Sequence, residues 1–309
     1  MPQGSTRVNK PLTEISVQYN NDEYIAGKVL KDVMVSKESD LYYVYNNDLR
    51  LETTNRANGA PANEATYEVS TSSYSLTEHA LKDKITKRDR ENVDAPLQLD
   101  KDTTEYLTDK LMLRQEYEAA TLLFTTTSFG NNATLNTATS FVYNTTTSAP
   151  IQSVLSATSY ILGQGGGKAN CAVTSQPVLD ALKENDNVFA RIQYVERAVL
   201  TKELLASLFD LDELFVGSAV YNTAKEGQAS SLSNIWGNDF LVANIAKNPR
   251  LKTRTAAVTL RQRQYGNPVR VRKWNDDERE CDFIEVQSMY APKLIATSSA
   301  YLLKTVALS

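Results

Sequence analysis

Histidine is nearly missing from this sequence: His79 is the only one in 309 residues. That excludes a histidine-rich metal centre, and any Ser–His–Asp or Cys–His catalysis would have to pass through that one imidazole. Cysteine is scarce as well. Cys171 and Cys281 lie far apart in the chain and read as two free, buried thiols in a reducing compartment. No apolar run reaches the roughly 18 residues that a transmembrane helix needs. The N-terminal stretch MPQGSTRVNKPLTE has no apolar h-region, so no secretory leader is expected. Excess charge is also lacking. The net charge of -4 argues against wholesale wrapping of nucleic acid. The length allows two domains, or one elaborate one, with enough core for stability.

The most regular stretch runs from Leu97 to Phe124 and contains no Gly or Pro. It is rich in Leu, Glu, Lys and Ala and predicts a helix, with Asp102 and Glu105 as a capping pair at its start. Tyr106, Leu113, Tyr117, Ala120 and Phe124 recur at nearly a helical period and are the expected core face, widened by Leu107, Leu111 and Leu123. Such a helix would be about 35 Å long. Its apolar stripe needs a sheet or another subunit laid along it.

Residues 1–40 read as an arm. Pro11 could open a short helix over LTEISVQY, and DEYIAGKVLKDVMV has apolar residues without a clean period, so it must lie against something else. Residues 41–75 read as a long β-hairpin with a broad, small and polar tip, Asn55–Glu64, including Arg56, Asn58 and Asn63. LTEHALKDKITKRDRENVDAP reads as a charged helix and linker, with His79 a surface or interface histidine. The Thr/Asn/Ser-rich run after Phe124 reads as a long loop. Its sequons at Asn132 and Asn144 are taken as accidental. From Pro150 helices and short apolar strands alternate, which suggests a compact α/β module.

Three clusters bear on chemistry. Gly163, Gly165, Gly166, Gly167 and Lys168 resemble a phosphate cradle only superficially. Leu162 stands where a P-loop needs glycine, Ala169 stands where it needs Ser or Thr, and the order is helix to strand, so a flexible connection is expected. Asp210, Asp212 and Glu213, and Asp276, Asp277 and Glu278, are the candidate acids of a carboxylate-dependent hydrolase. Both clusters sit in turn-like, solvated contexts without a histidine partner, so no catalytic, cofactor-binding or metal-binding residue is expected. Arg250–Lys273 holds eight cations and no acid. There Arg261 and Arg263 would share one strand face, as would Arg270 and Arg272, with a Gln264–Pro268 turn setting the pairs side by side as a basic ribbon. A solvated face and a DNA-facing lining compete with the favoured reading, ion pairing across subunits to Glu52, Glu64, Glu68, Asp100 or Asp102.

The segments SDLYYVYNNDLR, SYSLTEHALKDKITKRDRENVDAP, DKLMLRQEYEAATLLF, LFVGSAVYNTAKEG and NIWGNDFLVANIA, in that order, resemble the major capsid proteins of tailed bacteriophages, with the Hong Kong 97-type α+β fold. The resemblance spans nearly the whole chain and rests on order, not on a chemical motif. It implies an N-arm over 1–40 and an E-loop over 41–75 that reaches a neighbouring subunit. It further implies a P-domain over 76–149 with a spine helix from about Asp102, an A-domain over 150–248, P-domain return strands over 249–290 and an A-domain closing segment over 291–309. The implied function is self-assembly, as pentamers and hexamers, into an icosahedral head around double-stranded DNA, built in the host bacterial cytoplasm and without a membrane. The implied partners are portal and decoration proteins and a separate scaffolding protein, since the chain enters its arm at once. An encapsulin-like protein compartment of the same fold is the alternative. Some family members cross-link covalently from an E-loop lysine to an asparagine. Here no lysine lies between Lys37 and Lys82, so no cross-link is expected.

Overall fold

The structure, a computed structural model, describes residues 24–45, 51–66, 68–93, 97–135, 141, 149–192, 200–250, 253–263 and 269–304. The helix expected over LTEISVQY and the Gln264–Pro268 turn lie outside them. Helix α1 (Ala26–Val29) and strand β1 (Asp32–Val35) come first. Ile25, Ala26, Val29 and Leu30 are buried, so this segment is pressed into the core and has no amphipathic period of its own. Strands β2 (Ser39–Tyr45) and β3 (Val69–Ser75) form the hairpin, paired from Ser39 with Ser75 to Tyr45 with Val69.

Residues Thr77–Thr86 form strand β4, which corrects the expected charged helix. Among the described residues of that segment only Lys87–Glu91 is helical (α2), opened by a capping box between Thr86 and Asp89. Lys, Leu and Ala favour helix, but β4 finds a continuous ladder partner in the first ten residues, Cys281–Tyr290, of strand β13 (Cys281–Leu294). Tertiary pairing of that extent outweighs propensity worth a few tenths of a kcal/mol, to about 0.7, per residue.

The long helix α3 runs from Leu99 to Phe124, 26 residues and about 39 Å. It starts ahead of the expected capping pair: Asp102 lies inside the first turn and accepts the Gln98 N–H at 3.1 Å. Its buried face is Leu107, Leu111, Glu116, Ala119, Ala120 and Leu123. Leu107, Leu111, Ala120 and Leu123 of the expected face are thus buried, joined by Glu116 and Ala119, while the expected aromatic positions are not. Tyr106 is 56% exposed and Tyr117 38% exposed, while Leu113 and Phe124 pack on the margin of the core.

Two sheets use this helix. The first has the order β1–β11 (Ala257–Gln262)–β13–β12 (Arg270–Asp276), with β4 also on β13. Leu107 and Leu111 bury against Ile85, Ile284 and Val286 of that sheet. Strand β11 pairs with Leu294–Tyr290 of β13, and β12 with Gln287–Cys281. Both therefore lie end to end along one edge of β13, with β4 on the other, and the expected hairpin between β11 and β12 does not form.

The second sheet has the order β5 (Asn132–Thr134)–β14 (Ala300–Lys304)–β10 (Asp239–Ala243)–β6 (Cys171–Ser175)–β7 (Glu213–Gly217). Strands β8 (Val220–Asn222) and β9 (Leu232–Asn234) form a small hairpin between β7 and β10. Helices α4 (Pro150–Gly163), α5 (Gln176–Glu184), α6 (Asp186–Ile192) and α7 (Lys202–Leu208) belong to this module. The central strands alternate between two cores. Ala172, Phe240, Val242 and Leu303 face the helical side, with Val154, Ile161, Leu182 and Phe209. Cys171, Val173, Leu241 and Leu302 face the end of α3 and the α1 segment. Both cysteines are free and buried.

The glycine loop is a packed joint, where the sequence suggested a flexible link. The Gly166 carbonyl accepts from Asn244 Nδ2 and Ser299 Oγ, each at 3.0 Å. A Cβ on Gly166 would lie 2.2 Å from the Ser298 carbonyl oxygen, a backbone atom that cannot swing away. Gly166→Ala should lower stability by about 2 kcal/mol through overpacking, measured by urea unfolding. A midpoint equal to wild type would contradict this packing.

Candidate functional site

The hairpin presents its loop to solvent. Asn55, Arg56, Asn58, Asn63 and Glu64 are all exposed, and Leu51 is exposed completely, at 102%. Polar contacts within the loop give it shape: Arg56 Nε donates to the Ala60 carbonyl and Asn63 Nδ2 to the Thr53 carbonyl, both at 2.5 Å. Gly59, at φ +82°, closes the turn in which the Ala60 N–H reaches the Ala57 carbonyl. On the strands below, Leu41 and Tyr43 are about two-thirds exposed.

The basic stretch divides. Arg261 leaves the expected ribbon because it is buried, at 1% exposure. Its guanidinium reaches Asp32 Oδ2 at 3.3 Å, Ser288 Oγ at 2.8 Å and Gln115 Oε1 at 3.3 Å, and lies 5.5 Å from the Tyr290 ring centroid. This arginine thus ties β11 to β1, β13 and α3 within one subunit. Strand pairing sets Arg261 opposite Tyr290, beneath α3, and leaves no room for a partner subunit's carboxylate. Arg263, beyond the end of β11, is exposed, as are Arg270 and Arg272 on β12. Lys273, on the opposite face of β12, bonds Asp100 at 2.7 Å. Arg90 joins Asp100 to Asp282, at 2.9 and 2.7 Å. The bonds from Arg90 and Lys273 hold the Asp100 carboxyl below the usual carboxylate range. Asp100 is therefore paired within its own subunit.

The acid clusters form turns and surface pairs. Asp210, at φ +56°, pairs with Lys168 at 2.8 Å, and Asp276 accepts the Glu278 and Arg279 N–H groups. His79 stacks on Tyr290 with ring centroids 4.5 Å apart, and its Nε2 is 3.7 Å from Glu118.

Sequence reasoning missed Glu116. One of its oxygens accepts the Ile25 N–H at 2.9 Å and the Trp236 Nε1–H at 2.7 Å; the other accepts the Ala26 N–H at 2.8 Å. One carboxylate thereby joins the α1 segment, the long helix and the second sheet module. Burial pushes its carboxyl above the usual range, against the three donors and Lys28, which pull it down. Its spacing with Ala119, Ala120 and Leu123 was the available signal: an acid placed on the apolar face of a helix. Trp236 is fully buried beside it, edge-on to Phe124.

No family model matches the chain. It is similar to the major capsid protein of Burkholderia phage BcepMu, 25% identical over 308 residues, 97% of this chain and 96% of that one. It is 23% identical to the major capsid protein of Pseudomonas phage JBD67 over 74% of each chain. Among solved structures, a phage-related protein from Bordetella bronchiseptica RB50 matches with a TM-score of 0.71 and 19% identity, over 98% of both chains. The capsid of a native GTA particle matches at 0.62 and 13% identity, over 99% and 95%. An encapsulin complex from Synechococcus elongatus PCC 7942 matches at 0.55 and 10% identity, over 98% and 97%.

Proposed function

We infer that this chain, which has the Hong Kong 97-type fold of phage capsid proteins and full-length likeness to phage major capsid proteins, is itself a major capsid protein. The observation that carries the reading is the BcepMu likeness, which covers 97% of this chain and 96% of that one. The protein is then structural and not an enzyme. Copies associate as pentamers and hexamers and close into an icosahedral head around double-stranded DNA in the host cytoplasm, with scaffolding, portal and decoration proteins as partners. In this reading the hairpin over 41–75 is the loop that crosses to a neighbour. The helix Leu99–Phe124 and first sheet are the elongated domain, and the second sheet with its helices is the axial domain. Many weak contacts suffice, because each bound copy raises the effective concentration for the next contact.

Negative-stain electron microscopy of the purified protein tests this: capsomers or closed shells are expected, of uniform size only when the scaffolding protein is present, and a protein that stays monomeric at every concentration would overturn it. The encapsulin likeness supports a second reading, a protein-filled compartment. Nucleic acid inside purified particles favours the head, and protein cargo favours the compartment.

The shell should carry no lysine–asparagine cross-link. The described loop has Arg56 as its cation, and no lysine occurs between Lys37 and Lys82. A guanidinium stays protonated and is a poor nucleophile. Boiled particles should run as one single-chain band on a denaturing gel; a ladder of multimers would contradict this.

A further inference from the structure

We propose that Asn58 and Gly59, in the hairpin loop, form a self-modification site, at which the unassembled chain slowly converts Asn58 to aspartate and isoaspartate and so loses its fitness to assemble. The loss of assembly rests on the reading above; the chemistry at the site does not. Asn58 and Gly59 are the only Asn-Gly pair in the chain. The reaction needs no catalyst, only access of one backbone nitrogen to the preceding side chain. The Gly59 nitrogen attacks Asn58 Cγ and gives up its proton. The new N–Cγ bond closes a succinimide ring, the Cγ–Nδ2 bond breaks, and ammonia leaves. Water then opens the ring. Attack at Cγ leaves aspartate; attack at the main-chain carbonyl leaves isoaspartate, with the chain running through the former side chain. No oxidant or reductant enters.

The structure leaves this pair open to the reaction. Both residues are exposed. Among the described residues neither the Asn58 carboxamide nor the Gly59 N–H is hydrogen-bonded. Gly59 stands at φ +82°, and beyond its chain neighbours no heavy atom lies within 4 Å of where a Cβ would sit. Nothing crowds the attacking nitrogen, and glycine gives the backbone the freedom that ring closure needs. The turn is closed by one backbone hydrogen bond, from the Ala60 N–H to the Ala57 carbonyl at 3.1 Å, so rotation at Asn58 opposes little packing. The other asparagines of the described loop differ. Asn55 and Asn63 precede Arg56 and Glu64, whose side chains shield the next nitrogen, and Asn63 Nδ2 is already bonded to the Thr53 carbonyl.

The products reshape the tip. A carboxylate at position 58 adds a negative charge close to Arg56, whose Nε donates to the Ala60 carbonyl. A guanidinium bonds a carboxylate more strongly than a neutral carbonyl, so the new group competes for that contact. Isoaspartate also lengthens the backbone of a turn closed by a single bond. Both changes fall on the loop that the assembly reading sets against a neighbour. In a closed shell the neighbour covers the tip and hinders ring closure, so the modification runs in free subunits.

The test ages the purified, unassembled full chain at mildly alkaline pH, which favours removal of the amide proton, and follows each asparagine by peptide mass mapping. Asn58 should gain one mass unit about tenfold or more faster than Asn55 or Asn63, the ratio given by a barrier lower by about 1.4 kcal/mol. Enzymatic methylation specific to isoaspartate should label the same peptide. A partly aged sample is then assembled, and particles are separated from the chains left out. Modified Asn58 should be about tenfold enriched in the fraction left out, again about 1.4 kcal/mol. Asn58→Gln, aged alongside, should keep the particle yield of its own fresh sample, and Asn58 inside assembled shells should stay unmodified over the same period. The proposal is overturned if Asn58 changes no faster than Asn55 and Asn63, if modified chains enter particles as readily as unmodified ones, if aged Asn58→Gln loses yield as wild type does, or if shells are modified as fast as free chains. Should the wild-type chain form no shells, the assembly reading falls, and the mass mapping alone decides the site.

Discussion

Glu116→Ala should lower the free energy of unfolding by about 3 kcal/mol or more, because it strands three buried donors at once and each costs about 1–3 kcal/mol unpaired. The donors are the Ile25 and Ala26 amides and the Trp236 indole, drawn from two parts of the chain and met by a third. Glu116→Gln keeps the shape but turns an NH2 toward one of those donors, so it should lose less than alanine and more than a surface change. Urea unfolding followed by tryptophan fluorescence measures both. Losses under 1 kcal/mol for the alanine variant would mean that the clamp holds little. The pH dependence has a defined sign. Burial raises the Glu116 carboxyl above its unfolded range, so the native state binds the proton more tightly. Its contribution is then complete below the unfolded carboxylate range and declines as pH rises through the raised value. The wild-type advantage over Glu116→Gln should accordingly shrink with rising pH across that window; an advantage that grows would contradict the burial argument.

Deleting the tip Asn55–Glu64 should leave the subunit folded and remove particles altogether. The tip is exposed, with polar contacts that include bonds inside the loop. Shortening a loop changes closure entropy by only about 0.6 kcal/mol per halving. Thermal melting should therefore move little, while sedimentation and microscopy show only small species. Normal shells from the deletion variant would sink the role given to the hairpin. A large drop in melting temperature would show instead that the tip supports its own subunit.

The sequence by itself determined the features written in local composition. The long helix was legible from an uninterrupted run of helix formers, and α4 to α7 and the strands β6, β7 and β10 from short periodic segments between turn residues. The two thiols were rightly read as free. The order of these segments also pointed to the capsid fold, which the full-length relatives support. Residues 77–86 defeated local reading, since their helix-favouring composition gave way to a ladder with β13, two hundred residues downstream. On the long helix Leu107, Leu111, Ala120 and Leu123 were legible as core, but Tyr106 and Tyr117 were not core, because aromatic residues fit a helical period whether or not a sheet lies beneath them.

Tertiary structure alone decided the fate of the charges. Arg261 and Arg272 look alike in a basic run, yet one is locked under α3 with Asp32, Ser288 and Gln115, and the other stands in solvent over Trp274. Glu116 looks like any helix glutamate until Ile25, Ala26 and Trp236 arrive from elsewhere in the chain. Composition records which groups can carry charge or donate a hydrogen bond. Whether a group keeps its water, and which partner replaces that water, depends on segments that meet only when the chain has folded.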